Sequence, residues 1–313
     1  MVAFYTFEDL SGSNDPVNTD NPFQGLIDAC GDDATRIQDR YDAHRTKRNA
    51  QQRAKLLEPE FQGVIVDEVL AKLEDRSLSP PFKDWRHCLV FWARPPQSIR
   101  TLVSDIQQHL RTVAPNLWIM PPTSLHMTAL EITHSLTAEE IDALVEKMLP
   151  SVQGIVDYTY GHRAKLVKPL LSYDAQALAL SFLPAAGESG RTPEEDSYTY
   201  HHLRRDLYNK AQATGVKVAS RYVMPSAHLT IARFISKCDF ETEDGRVDHV
   251  QIEALIKTID EINDRLMKEY WPRIDCIKDG GEWIVGQEKG LECRKGALWY
   301  GSGGSTVSLG RGF

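Results

Sequence analysis

The sequence has no run of about 18 apolar residues, the length that a membrane-spanning helix needs, so no membrane association is expected. Its start, MVAFYTFEDLSGSNDP, lacks the basic and apolar regions of a secretory signal. Cysteine is scarce: Cys30, Cys88, Cys238, Cys276 and Cys293 are scattered, with no C-x-x-C spacing. That set argues against a disulfide framework, and reduced thiols fit the cytosol or nucleus. Positive charge is short too, with 36 Lys and Arg against 44 Asp and Glu and a net charge of -8. A long duplex-binding surface is thereby disfavoured, because such affinity rests on many cation–phosphate contacts. A small nucleotide or an RNA end held in a local pocket is compatible with this balance. Gly301–Gly304 lacks the Lys-Ser/Thr of a phosphate loop and reads as a turn. Gly187-Glu-Ser189-Gly190 is not a nucleophile elbow. His126 with His134, or His201 with His202, could share a metal only with ligands that the sequence does not identify. No metal and no cofactor are therefore expected.

What is present is ample apolar material, 42% of 313 residues, enough for one large domain with an extension. Residues 1–20 are polar and read as a mobile tail. Residues 21–84 read as a helical extension. Arg36, Arg40, Arg45, Lys47, Arg48, Arg53 and Lys55 give it a charged face, either solvated and packed on the main domain or in contact with RNA. Ser77-Leu-Ser-Pro-Pro81 marks a loop before the core.

Residues 85–300 alternate between strand and helix. Cys88–Trp92 is an apolar run expected as a buried strand, followed by a helix capped by Ser98 with apolar positions Ile99, Leu102, Val103, Ile106 and Leu110. Leu117–Met120 and Leu125–Ile132 read as strands, and Thr137-Ala-Glu-Glu140 as a capping box opening a helix. Lys165–Leu171 and Ala177–Leu183 read as strands joined by a turn. Ala185–Ser197 reads as a flexible surface loop and Tyr200–Ala213 as a helix. Tyr222–Met224 and His228–Ile235 read as strands, and Val250–Tyr270 as a long amphipathic helix. Short strand-like runs at Ile274–Ile277, Trp283–Val285 and Ala297–Tyr300 precede a Gly-rich tail over 301–313. The succession strand, helix, motif strand, helix occurs twice, which suggests a duplicated, two-lobed α+β fold.

The repeated motif carries the chemistry. Ser124-Leu-His126-Met-Thr128 and Ser226-Ala-His228-Leu-Thr230 each place Ser two residues before His and Thr two residues after it. On a strand, i and i+2 share a face, so Ser, His and Thr line one side and apolar residues the other. A neutral imidazole takes a proton from water and an imidazolium gives one to a leaving oxygen. Cleavage of a phosphodiester needs both events, and the threonine hydroxyls suit the non-bridging oxygens.

Two His-x-Thr motifs about a hundred residues apart resemble the 2H phosphoesterase superfamily, over roughly Trp85 to Tyr300. That group includes RNA 2′,3′-cyclic phosphodiesterases, also called 2′-5′ RNA ligases. His228-Leu-Thr-Ile-Ala-Arg-Phe234 resembles their bacterial HLTxAR form, whereas Ala129 stands where a bulkier aliphatic residue is usual. The N-terminal extension and the stretch from Gly286 to Tyr300 look more like an extended eukaryotic, fungal branch. The resemblance implies two antiparallel sheets around a central cleft with outer helices. It implies a monomer that hydrolyses 2′,3′-cyclic phosphates, or related cyclic or 2′-5′ esters, of nucleotides or RNA 3′ ends. His126 and His228 carry over as catalytic, with His228 assigned as base and His126 as acid, and Thr128 and Thr230 as substrate-binding. Tyr222, Trp118 and Tyr200 are base-stacking candidates or core residues, and Lys168 is a phosphate contact or a surface residue. By alternation Arg233 faces away from Thr230 and is expected in a salt bridge. A non-catalytic nucleotide- or RNA-end-binding module, and a 3′ RNA-processing exonuclease, are the competing functions.

Overall fold

The structure is a computed structural model and describes residues 8–12, 20–273 and 278–313. The extension contains α1 (Gln24–Ala29), α2 (Ala34–Leu56) and α3 (Glu68–Glu74). Asp33 caps α2 by accepting from the Arg36 amide. This helix buries no continuous apolar stripe. Its inward residues are Ile37, Gln38, Tyr41, His44, Arg45 and Leu56; Ile37, Tyr41 and Leu56 join the main core, and hydrogen bonds fix polar residues between them. Gln38 Nε2 donates to the Pro184 carbonyl at 2.7 Å and Arg45 Nη1 to the Lys168 carbonyl at 2.7 Å. Arg48 pairs with Asp174 at 2.8 Å and Arg53 with Asp260 at 3.4 Å. The basic residues thus tie the extension to the main domain. The mobile-tail expectation for residues 1–20 falls largely outside the described residues. Residues 8–12 lie on α2, where the Leu10 amide donates to His44 Nδ1 at 3.0 Å.

The first apolar run forms β1 (His87–Ala93). Leu89, Phe91 and Ala93 join the main core, and Cys88, Val90 and Trp92 a smaller one on the other face. α4 (Gln97–Val113) buries the expected stripe, but Pro96 and not Ser98 stands at its N-cap. Pro96 holds an extended backbone there and leaves Ser98 inside the first turn. β2 (Trp118–Ile119) and β3 (Met127–Leu136) follow. The capping box at Thr137 and Glu140 opens α5 (Ala138–Val156). β4 (Lys165–Tyr173) and β5 (Ala177–Pro184) form a hairpin whose turn is held by Asp174, which accepts from the Gln176 and Ala177 amides.

Ala185–Ser197, expected as a flexible surface loop, is anchored. It contains the capped turn α6 (Pro193–Asp196), and its buried Glu188 accepts from Gln38 and pairs with Lys168 at 3.0 Å. After α7 (Tyr200–Gln212), the segment Tyr222–Met224 is not a strand. It lies outside the ladders and leads into β6 (Ala227–Arg233). α8 (His249–Glu269) packs its Ile and Leu stripe against β4 and α4.

β7 (Glu282–Ile284) covers the expected run at Trp283, whereas the run at Ile274–Ile277 lies outside the described residues. Ala297–Tyr300 is a turn. It joins β8 (Leu291–Gly296) to β9 (Gly304–Leu309), so the Gly-rich end expected as a tail is an antiparallel strand. The glycines permit this. At Gly296 and Gly304 a Cβ would lie 2.8 Å and 2.2 Å from neighbouring atoms of the hairpin.

The fold is α+β, with two antiparallel sheets in the orders β3-β1-β8-β9 and β2-β6-β5-β4-β7. The halves exchange strands: β2 joins the second sheet, and β8 and β9 return to the first. The Met120 amide, donating to the Ile231 carbonyl, continues the β2–β6 ladder, while the bond from the Ala219 amide to the Ile132 carbonyl ties the loop before β6 to β3 of the other sheet, and β3 and β6 lie in direct contact. The two motif strands therefore come together where the sheets meet.

Candidate active site

Each His-x-Thr stretch is followed at once by a β-bulge. Along β1 and β3, Trp92 pairs with Thr128 but Phe91 with Leu130, so Ala129 is the extra residue. Along β5 and β6, Ala179 pairs with Thr230 but Leu178 with Ala232, so Ile231 is the extra residue. A bulge shifts the alternation by one. The third residue after each threonine, Glu131 and Arg233, therefore returns to the motif face. This corrects the expectation that Arg233 faces away from Thr230. Its expected salt bridge is present, to Asp67 at 3.1 Å, and Tyr300 donates to the same carboxylate at 2.7 Å. The bulge at Ile231 is braced, because its carbonyl accepts from the Met120 amide and from Gln107 Nε2 at 2.9 Å.

His126, Thr128, His228 and Thr230 are all half-buried. His126 Nδ1 lies 2.7 Å from the Ser124 carbonyl. A carbonyl only accepts, so Nδ1 carries a proton and Nε2 is the working nitrogen. His228 Nδ1 lies 2.9 Å from the Ser226 hydroxyl, which can donate or accept. The matched serines thus hold the two rings by different groups. Ser124 is itself held by the turn after β8. Gly301, at φ 75°, sits so close that a Cβ there would lie 2.3 Å from the Ser124 carbonyl oxygen.

Around the first histidine, Trp92 stacks on the ring with centroids 3.9 Å apart and planes at 21°. Arg94 and Arg294 lie over Trp92 at 4.8 and 5.2 Å. Both bond to Glu292, at 2.7 and 3.0 Å. Burial alone would raise the Glu292 carboxyl, but the Thr306 hydroxyl, Arg94 and Arg294 outweigh it and hold it low. His126 is pushed down to about 3, by burial first; the Ser124 carbonyl opposes this, and Arg94, His228 and Arg294 add to it. His228 is pushed down to about 4, by burial first and then by Arg48, Arg204, His44 and Arg233. Cations thus gather around both histidines in a chain whose net charge is -8.

Of the stacking candidates, Tyr222 stands beside His228, with ring centroids 6.2 Å apart, and Arg221 lies over it at 5.3 Å. Arg221 also lies over Trp299 at 4.4 Å and pairs with Glu131 at 2.7 Å. Trp118 pairs across the ladder with Arg233, and its indole N–H donates to Glu74 at 3.0 Å, so it sits beyond the histidines at the margin of the sheet. Tyr200 is buried and donates to the Thr128 carbonyl at 3.4 Å, a core role. Lys168 is taken up by Glu188 and Gln38. An open groove along α4, lined by Gln97, Arg100, Ser104, Gln108 and Pro122, meets the first motif only through Pro122. Among the described residues, no group of three or more His, Cys, Asp or Glu is placed to hold a metal ion.

The sequence reading missed Trp92, Arg94, Glu131, Arg221, Glu292 and Arg294. Strand alternation from Trp92 could have pointed to Val90 and Arg94 as its face-mates. Glu292 and Arg294 lie on a strand that was not foreseen.

No protein-family model and no curated protein sequence matches the chain. Among solved structures the chain is similar to Usb1 of Kluyveromyces marxianus bound to uridine monophosphate. That match has 12% identity and a TM-score of 0.37, and covers 72% of this chain and 98% of the other. It is also similar to TT0787 of Thermus thermophilus, at 14% identity and a TM-score of 0.38 over 71% and 96% of the two chains. A third is ATU0111 of Agrobacterium tumefaciens str. C58, a conserved protein of unknown function, at 15% identity and a TM-score of 0.39 over 62% and 81%.

Proposed function

We propose that the chain is a metal-independent phosphodiesterase acting on a 2′,3′-cyclic phosphate, or a related cyclic or 2′-5′ ester, of a nucleotide or RNA 3′ end. The observation that carries this reading is the pair of His-x-Thr strands, each ring held through Nδ1 and both set among cations in an acidic protein. His228 takes a proton from water as its oxygen attacks phosphorus. The bond from phosphorus to the 2′ or 3′ oxygen breaks, and His126 Nε2 gives that oxygen a proton. Thr128 and Thr230 donate to the non-bridging oxygens, and these bonds strengthen as charge builds there.

The asymmetry of the serines supports the order of roles. The Ser124 carbonyl stabilises a protonated His126, whereas Ser226 can accept from a neutral His228 and leave its Nε2 lone pair free. Without an anion beside them both rings are neutral at pH 7. The negative charge of a bound phosphodiester raises both pKa values and supplies the protonated acid. Tyr222 is the side chain best placed to stack on a base next to the reacting ester. A cytosolic or nuclear setting fits the free, buried Cys30, Cys88 and Cys293.

The test is turnover of 2′,3′-cyclic nucleotides and 3′-modified oligonucleotides in EDTA. His126→Ala and His228→Ala each lower it by about 100-fold or more. Turnover within tenfold of wild type in either variant overturns the assignment. The depression of both rings favours a second reading, a nucleotide-binding module without turnover. Calorimetry showing tight binding of AMP with no hydrolysis of any ester in the panel would select it.

A further inference from the structure

Charges removed from water are ordinarily paired, because desolvation is costly. The guanidiniums around the two histidines follow this rule with one exception among the described residues. Arg94 and Arg294 share Glu292, Arg221 has Glu131, Arg233 has Asp67 and Arg48 has Asp174. Arg204, on α7, is 2% exposed and pairs with no carboxylate among the described residues. Its Nη1 donates to the Met224 carbonyl at 2.8 Å, and its Nε is buried with no partner. The Phe23 ring lies 4.4 Å from Cζ, the Tyr200 ring 5.9 Å, and the Tyr41 hydroxyl is a polar neighbour. Aromatic faces offset part of such a charge but do not neutralise it.

The placement of Arg204 gives this charge a use. Met224 stands two residues before Ser226, which holds His228. Tyr200, one helical turn before Arg204, donates to the Thr128 carbonyl in the other motif. The same face of α7 therefore fastens both motifs. We propose that Arg204 is a positioning residue of this site. Its uncompensated charge provides standing positive potential for a phosphate between the motif strands, and its bond to Met224 fixes the approach to Ser226 and His228. The identity of the phosphate as a reacting ester rests on the phosphodiesterase reading; the anion preference does not. The charges that bear on His228 come from Arg48 and His44 on α2, Arg204 on α7 and Arg233 on its own strand, with His126 in electrostatic contact from the other motif and Tyr222 beside its ring. Among the described residues, Arg204 alone of these cations is both buried and without an acidic partner.

The test compares Arg204→Lys with Arg204→Met in the full chain, after thermal melts show both folded. Two readouts do not depend on turnover: the His228 ring pKa by NMR, and the affinity for inorganic phosphate. In Arg204→Met the His228 pKa rises, and phosphate binding weakens on the order of tenfold. Arg204→Lys stays close to wild type in both. Hydrolysis of uridine 2′,3′-cyclic phosphate follows the same order, with kcat affected more than KM. Arg204→Gln, which can still donate to the Met224 carbonyl, replaces Arg204→Met if the latter does not fold. If the Lys variant and the neutral variant behave alike in pKa and phosphate affinity, the proposal is wrong. If no ester is hydrolysed by the wild type, the phosphodiesterase reading fails while these two measurements still decide the role of Arg204.

Discussion

A single glycine links the end of the chain to the first histidine. Gly301 has a left-handed φ of 75°, and its missing side chain makes room for the Ser124 carbonyl that holds His126. Alanine there meets two penalties, the positive φ and a clash at 2.3 Å with a backbone oxygen that cannot swing aside like a flexible side chain. The turn or the Ser124 loop must shift, and either shift turns the imidazole. Gly301→Ala is expected to destabilise the protein by about 2 kcal/mol and to lower kcat more than KM, because the ring and not a distant substrate contact is disturbed. Denaturant unfolding and steady-state kinetics on the same preparation check it. Loss of stability with unchanged kcat would show that the turn supports the fold without setting the ring.

At the scale of elements, much was legible where a short-range rule decides the outcome. The stripe of α4, the capping box of α5 and the period-two face of each motif follow from neighbours along the chain. The bulges do not. Ala129 and Ile231 become extra residues only by pairing with β1 and β5, and no local signal in the sequence marks them. Glu131 and Arg233 were hidden for that reason. α2 was hard to place because its inward face mixes Ile37, Tyr41 and Leu56 with Gln38, His44 and Arg45, and polar partners such as the carbonyls of Lys168 and Pro184 are more than a hundred residues away. β8 and β9 were missed because glycines that allow a tight hairpin resemble a disordered tail in composition. Gln107 tests whether the second bulge matters. It is 6% exposed and donates to the Met120 and Ile231 carbonyls on the side opposite the histidines. Gln107→Met keeps the volume and removes both bonds, at a cost of about 2 kcal/mol. If the bulge aims Arg233 and steadies His228, kcat/KM also falls by about tenfold at a temperature where the variant is fully folded. Unchanged kinetics in the folded variant would separate the bulge from the site.

For the whole molecule, the chain carries a net charge of -8 and yet holds three histidines neutral inside it. His126 and His228 are pushed down to about 3 and 4, and His201 to about 3, by burial first in each case. His201 is 1% exposed; its Nε2 donates to the Phe23 carbonyl, and its Nδ1 lies 2.9 Å from the Tyr41 hydroxyl. An unfolded histidine binds a proton near pH 6.5. Between that pH and the lower folded values the unfolded chain holds more protons than the native one, so stability must fall as pH falls. The full contribution is present above pH 6.5 and disappears as pH drops through the folded values. His201 alone accounts for about 1.4 kcal/mol per pH unit across that window. The depressed carboxylates, Asp206 and Glu292 among them, lose their share only at lower pH. The interval from pH 6.5 to about 5 therefore belongs mainly to the histidines. Denaturant midpoints are expected to drop steadily over it, and His201→Gln to remove one part of the slope. A phosphate-bearing nucleotide should flatten a different part, since an anion between His126 and His228 lifts their pKa values and leaves His201 as it is. A flat stability profile from pH 7 to 5 would mean that the unfolded chain takes up no extra protons there, and that these rings are not held neutral in the fold.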